Sequence, residues 1–289
     1  MSDVQFARIE TPSHGALSLE YRWLNRERTD APLLVFLHEG LGSVAMWKDW
    51  PQRLCDAGGY RGLVFSRNGY GRSTPRPAGE KWPVDFMHRQ AREALPAFLN
   101  AVGVGEDQAS RVWLVGHSDG GSIALLFSAA FPDRLAGAVV IAPHLFVEDV
   151  SVESIAKTKT VYETTDLRAK LGRYHDDVDS AFWGWNDIWL NPAFRDWNIV
   201  GAVASIETPL LAIQGEDDEY GTMAQMDSIA ANVAHAKVVK LPACGHSPHR
   251  DAPDALDDAI RAFIDAHDKP SSATGNASGT SGTSGQRAA

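Results

Sequence analysis

Cysteine is scarce in this chain: Cys55 and Cys244 are the only two in 289 residues. That excludes a disulfide-built scaffold and suits reduced thiols. No apolar run approaches the roughly 18 residues of a membrane span. The opening MSDVQFARIE has no apolar stretch of the kind a secretory signal carries, so the expected location is cytoplasmic. Excess positive charge is also missing. Lys and Arg number 27 against 37 Asp and Glu, a net charge of -10. Neither nucleic acid nor an anionic membrane is an expected partner for such a surface. His246 and His249 stand close together, yet no third ligand lies at a metal-site spacing. No metal is expected.

What remains is an ordinary globular composition, 44% apolar and 22% charged. Its length suits one large α/β domain, with or without an inserted sub-domain. Residues 4–9 and 16–24 alternate apolar with polar around TPSHG, predicting a β-hairpin. Short apolar runs at 33–37, 62–66, 112–116, 135–142, 209–214 and 236–241 predict strands buried on both faces of a parallel sheet. Helical spacing appears at 85–101, 120–131, 222–233 and 255–264. Strands alternating with helices imply right-handed crossovers and a doubly wound sheet, so the fold class is α/β.

The alternation stops between 143 and 207, where helices are expected without strands. This stretch holds Trp183, Trp185, Trp189 and Trp197, four of the nine tryptophans. An inserted helical cap is expected there, between core segments 1–142 and 208–268. Its aromatic residues either pack the cap or line a pocket. Trp183, Trp185 and His144 are the candidates for substrate contact. Residues 269–289 are a Ser/Gly/Thr/Ala tract with too little apolar surface to offset ordering entropy, and are expected to be a disordered tail.

The strongest chemical signal is Gly116-His117-Ser118-Asp119-Gly120 between the apolar run VWLV and the helical run SIALLFSAA. A tight strand–turn–helix lifts the Ser118 hydroxyl off the sheet end, while the helix start aims N–H groups at the same place. Otherwise the serine would only cap a helix. A serine nucleophile needs a base. His246, in CGHSPH directly after the last strand, is the candidate, with His249 as competitor or loop support. The base needs an orienting acid. The turn GEDDEYG offers Glu216, Asp217, Asp218 and Glu219, and the residues alone leave all four open. A developing oxyanion needs donors. The turn after LLVFL, residues 38–43, and the N–H of Asp119 can supply them.

These motifs, in this order, resemble the α/β-hydrolase superfamily over roughly residues 15–267. HEGLGS is similar to its HGxxGS oxyanion loop and SRNGYGRS to its D-x-x-G-x-G-x-S turn. GHSDGG resembles its nucleophile elbow, and the Ser-Asp-Gly-Gly form is similar to valacyclovirase-like esterases. QGEDD and GHSPHRDAP resemble the acid and histidine loops. The resemblance implies a sheet of about eight strands with a helical cap. It further implies a Ser118–Asp218–His246 triad, with oxyanion donors at Gly40 and Asp119. The chain departs from the pattern at Glu39, where the family has Gly, and at Ser66, where many members have Asp. A serine nucleophile disfavours the aspartate chemistry of haloalkane dehalogenases and epoxide hydrolases.

The expected function is hydrolysis of small carboxylic esters or lactones through an acyl-enzyme. No cofactor is needed, and the partner is a small-molecule substrate. Amide or C–C bond hydrolysis on the same triad, and ligand binding without catalysis, are the alternatives. Glu39 and Asp119 place two carboxylates beside the expected oxyanion donors. Either they turn into surrounding structure, against backbone N–H groups or an arginine such as Arg67 or Arg72, or one of them binds a cationic substrate group.

Overall fold

A computed structural model describes residues 4–268, apart from 106, 107, 109 and 110. The tail expected at 269–289 lies outside the described residues. Eight strands form one sheet: β1 (Gln5–Thr11), β2 (Gly15–Leu24), β3 (Leu33–Leu37), β4 (Arg61–Phe65), β5 (Val112–His117), β6 (Gly137–Ile141), β7 (Leu210–Gly215) and β8 (Lys237–Leu241). Their spatial order is β1-β2-β4-β3-β5-β6-β7-β8. The β1–β2 and β2–β4 pairs are antiparallel, and every later pair is parallel.

The helices are α1 (Trp50–Gly58), α2 (Phe86–Arg89), α3 (Leu95–Ala101), α4 (Asp119–Ala130), α5 (Asp149–Thr164), α6 (Leu167–Leu171), α7 (Val178–Trp189), α8 (Val200–Val203), α9 (Ala224–Asn232), α10 (Pro248–Asp251) and α11 (Pro253–His267). They cover both faces of the sheet. Leu33, Val35 and Leu37 of β3 pack with α3 and α4 residues such as Phe98 and Ile123. Leu34 and Phe36 pack on the other side with Leu54 of α1 and Ile260 of α11. Burial on both faces is why β3 reads as an unbroken apolar run. The edge strand β8 differs from the expectation. Lys237 and Lys240 are exposed, Val238 and Val239 are half-buried and Leu241 is buried, as befits the last strand in the sheet order.

Helix α1 was not anticipated from the sequence. It buries Trp50, Leu54 and Cys55, carries Pro51 at its start and ends at Gly59 with φ 72°. That is the proline-in, glycine-out signature of a short helix. The helix expected at 85–101 is interrupted by a π turn, Gln90–Ala94. Pro96 lacks an N–H and its ring crowds the carbonyl four residues back, so a widened turn before it relieves the conflict.

Strand order turns around β3, whose neighbours are β4 and β5. A crevice opens at the carboxyl ends of strands beside such a switch point. The loops after β3, β5, β7 and β8 all end there. Helices α5, α6, α7 and α8 fall between β6 and β7, and the described residues of this stretch add no strand beyond the single bridge Phe146–Asn198.

Candidate active site

Ser118 joins β5 to α4 with φ 52° and ψ -120°, a conformation that costs a non-glycine residue about 1–3 kcal/mol. The flanking glycines make the turn physically open. A β-carbon on Gly116 would overlap the Gly120 carbonyl, and one on Gly120 would overlap the Leu37 carbonyl. The Ser118 N–H donates to the Ile141 carbonyl at 2.9 Å, tying the elbow to β6. The side chain lines a cavity of 270 Å³ beneath helices α5, α6 and α7. The same cavity is walled by His246 and, from α5, α6 and α7, by Ile155, Leu171, Trp185 and Trp189. Ser118 and His246 line it together, with no hydrogen bond between the hydroxyl and the ring.

The His246 ring donates from Nδ1 to Asp218, with its two carboxylate oxygens at 2.8 and 3.0 Å. Asp218 also accepts from the N–H groups of Tyr220, at 2.8 Å, and Gly221, at 3.2 Å. Its side chain is 1% exposed. Burial would raise its pKa, but the His246 hydrogen bond and charge, with the Tyr220 N–H, hold it below the usual carboxylate range. The geometry thus separates the four candidate acids. Asp218 faces the ring. Asp217 and Glu216 are exposed. Glu219 accepts the backbone N–H of His246 at 3.1 Å, a role the sequence did not suggest.

The loop after β3 is held by its carbonyl. Glu39 O accepts from His38 Nδ1 at 2.7 Å, Arg67 Nη2 at 2.9 Å and Gly42 N at 3.1 Å. A trans peptide sets its N–H opposite its C=O. Three donors on this carbonyl therefore turn the Gly40 N–H the other way, and Gly40 lines the cavity. The Asp119 N–H stands at the first position of α4, where a helix offers no internal acceptor.

The two carboxylates expected near these donors are already engaged. Asp119 is buried. Its Oδ1 accepts from Trp189 Nε1 at 3.2 Å, and its Oδ2 lies 3.8 Å from Arg67. Burial raises its pKa, and Arg67 and Trp189 oppose that rise. Arg72 has no part in this, since it faces Asp176 at 3.9 Å. Glu39 lines the cavity, but its carboxylate faces His117 Nδ1 at 3.5 Å. Burial would raise the Glu39 pKa, yet the surrounding histidines, His117 first, hold it well below the carboxylate range.

Ser66 also has a partner. Its hydroxyl donates to Glu20 Oε2 at 2.7 Å, and Arg72 N donates to the same oxygen at 3.0 Å. Strand β2 thus supplies the carboxylate that the turn lacks. Of the substrate-contact candidates, His144 and Trp185 line the cavity. Burial lowers the His144 pKa to about 3, and its ring sits edge-on to Trp189 at 4.8 Å. Trp183 is corrected: it does not line the cavity but packs against Tyr162 at 5.6 Å and Phe182 at 5.1 Å, with Lys159 over its ring. Two helical positions separate it from Trp185, a rotation of about 200°, so the two rings face nearly opposite directions. His249 packs among Trp47, Trp50 and His117 at 5.1–5.4 Å. Among the described residues no cluster of three or more His, Cys, Asp or Glu is placed to hold a metal ion. No helix among them is long and apolar enough to cross a membrane.

The model of the alpha/beta hydrolase family matches residues 34–259. The bifunctional esterase/perhydrolase of Acinetobacter calcoaceticus is 26% identical over 273 residues, covering 81% of this chain and 92% of that one. A serine hydrolase of Homo sapiens is 27% identical over 209 residues, covering 70% and 68%. Among solved structures, a thermophilic esterase from Thermogutta terrifontis superposes with a TM-score of 0.69 at 20% identity, covering 92% of this chain and all of that one.

Proposed function

The chain belongs to the alpha/beta hydrolase family, and on that membership we propose that it is a serine hydrolase of small carboxylic esters or lactones. Ser118 Oγ attacks the acyl carbon while His246 takes its proton. Asp218 holds the imidazole in the Nδ1–H tautomer and stabilises the imidazolium that forms. The Gly40 and Asp119 N–H groups receive the oxyanion. His246 then protonates the leaving alcohol. Water, activated by the same ring, releases the acid. Each step uses groups of the chain and water.

One observation carries this reading. A single imidazole shares its Nδ1–H between both oxygens of a buried carboxylate, and its ring walls the cavity that holds a strained serine. The pinned Glu39 carbonyl supports the oxyanion role of Gly40. The 270 Å³ cavity suits a small acyl group, and its cap wall of Ile155, Leu171, Trp185 and Trp189 suits an apolar one. The named relatives include an esterase/perhydrolase and a serine hydrolase, whose chemistry at an acyl carbon accords with the reading.

The experiment is reaction with a fluorophosphonate, followed by a panel of esters, lactones and amides. Phosphonylation at Ser118 and turnover of short-chain esters or lactones are expected. An unreactive Ser118 in folded protein would overturn the reading in favour of ligand binding. Turnover of amides alone would move the substrate class.

A further inference from the structure

Glu39 stands where the oxyanion loop of the family carries glycine, and a side chain at this position must go somewhere. It goes to His117, the residue before the proposed nucleophile. Glu39 Oε2 lies 3.5 Å from His117 Nδ1. The other ring nitrogen, Nε2, donates to the His246 carbonyl at 2.7 Å. Both nitrogens of one buried ring therefore point at oxygen acceptors. A ring with one proton would set a lone pair against the Glu39 carboxylate. A ring with a proton on each nitrogen donates to the His246 carbonyl and sets its charge within ion-pair distance of the Glu39 carboxylate.

The neighbourhood is built around this contact. A β-carbon on Gly42 would come within 2.6 Å of Glu39 Oε2, so the loop is glycine where the carboxylate passes. The other groups around the His117 ring are His249 of α10 at 5.1 Å, the His246 ring at 5.0 Å and Trp47 at 6.2 Å. Burial lowers the His249 pKa to about 3, so it offers no competing cation. Among the described residues His117 Nδ1 has no hydrogen-bond partner, so the 3.5 Å ion-pair approach to Glu39 is the contact left to it.

We propose that Glu39 is a positioning residue: paired with His117, it links the oxyanion loop to the backbone of the proposed general base. The link completes a three-sided hold on His246. Asp218 takes the ring Nδ1–H, Glu219 takes the backbone N–H, and His117 donates to the backbone carbonyl. Through the third of these, the loop carrying Gly40 and the loop carrying His246 move as one body. The inference rests on the Ser118–His246–Asp218 reading above.

The test uses the full chain and two readouts. The first is the rate of fluorophosphonate reaction at Ser118 in wild type, Glu39→Ala, His117→Phe, the double variant and Glu39→Gln. A misplaced catalytic group costs about 10- to 100-fold, and each of the first two variants should slow by that order. The double variant should be no slower than the slower single one, because both remove the same link. Glu39→Gln should recover most of the loss, since an amide N–H can donate to Nδ1 of a singly protonated His117. Independent, multiplying losses would overturn the proposal, as would an unaltered Glu39→Ala rate.

The second readout is ¹⁵N NMR of the histidine rings. It expects both His117 nitrogens protonated in wild type and one in Glu39→Gln. A wild-type ring with one proton overturns the pairing even if a variant fails to fold. A wild type that never reacts at Ser118 while both ring protons are present locates the failure in the proposed function instead.

Discussion

Trp185 of α7 occupies the space that a β-carbon on Gly40 would need, with Cδ1 and Nε1 both in overlap. Helix α7 therefore rests directly on the proposed oxyanion loop. Gly40→Ala should destabilise the protein by about 1–3 kcal/mol, the usual range for overpacking. In a Trp185→Ala background the same change should cost little. Urea denaturation of the four proteins measures the coupling, and equal costs in both backgrounds would refute the contact.

Ser118 holds a backbone conformation that glycine adopts without strain, at φ 52° and ψ -120°. Ser118→Gly should abolish turnover yet raise unfolding free energy by about 1 kcal/mol. A destabilised variant would mean that the serine is not strained in its turn.

Asp218 and Asp217 are adjacent, yet only Asp218 faces the imidazole. Asp218→Asn should lower kcat by on the order of 10³- to 10⁴-fold, because an amide favours the wrong histidine tautomer. Asp217→Asn should stay within about twofold, since an exposed carboxylate away from the ring has little to contribute. Steady-state kinetics on the best ester of the panel would decide, and the reverse ranking would reassign the acid.

Acid sensitivity should begin well above the carboxylate range. Burial lowers both His144 and His249 to about 3, while an unfolded histidine titrates near about 6.5. Between those values the unfolded chain binds protons that the folded one refuses. Stability is complete above about pH 6.5 and falls as the pH drops toward 3, by up to about 1.4 kcal/mol per pH unit for each ring. Asp218 acts in a lower window. Its depressed pKa contributes stability above the unfolded value near 3.9, lost only as pH falls further. Urea midpoints from pH 7 to pH 5 should therefore fall in wild type and fall less steeply in His249→Gln. Parallel slopes would show that His249 takes up protons in the fold.

Trp183 and Trp185 should part company. Trp185→Ala should raise KM for an apolar ester by about tenfold, since it removes a cavity wall. Trp183→Ala should lower the melting temperature, through lost packing on Tyr162 and Phe182, with kcat/KM within about twofold. A larger effect on KM at Trp183 would place it in the substrate path.

Much of the architecture is legible along the chain, because its signals are local. Buried strands such as LLVFL declare themselves as apolar runs, and the Gly116–Gly120 turn declares itself through small residues about a serine. Helix α1 was less legible. Its nine residues carry a short apolar pattern, and its proline and glycine punctuation is the only strong sign. The partial exposure of β8 depends on being last in the sheet, which no property of its own residues states.

The sequence by itself determined the candidate nucleophile, the candidate base and the order in which acid and base follow. Each lies in a turn whose residue types admit few conformations, so chemistry and backbone are specified together. The residue types of GEDDEYG left four carboxylates open and only the family resemblance pointed to Asp218; tertiary structure brings that one to the histidine, because neighbouring side chains in a turn diverge. It also decided that Glu39 faces His117, 78 positions apart by number, and that Glu20 supplies a carboxylate to the turn at Ser66. Those pairings are made by β2 lying beside β4, and β3 beside β5, in one sheet. Their partners are chosen by sheet order, which exists only once the chain has folded.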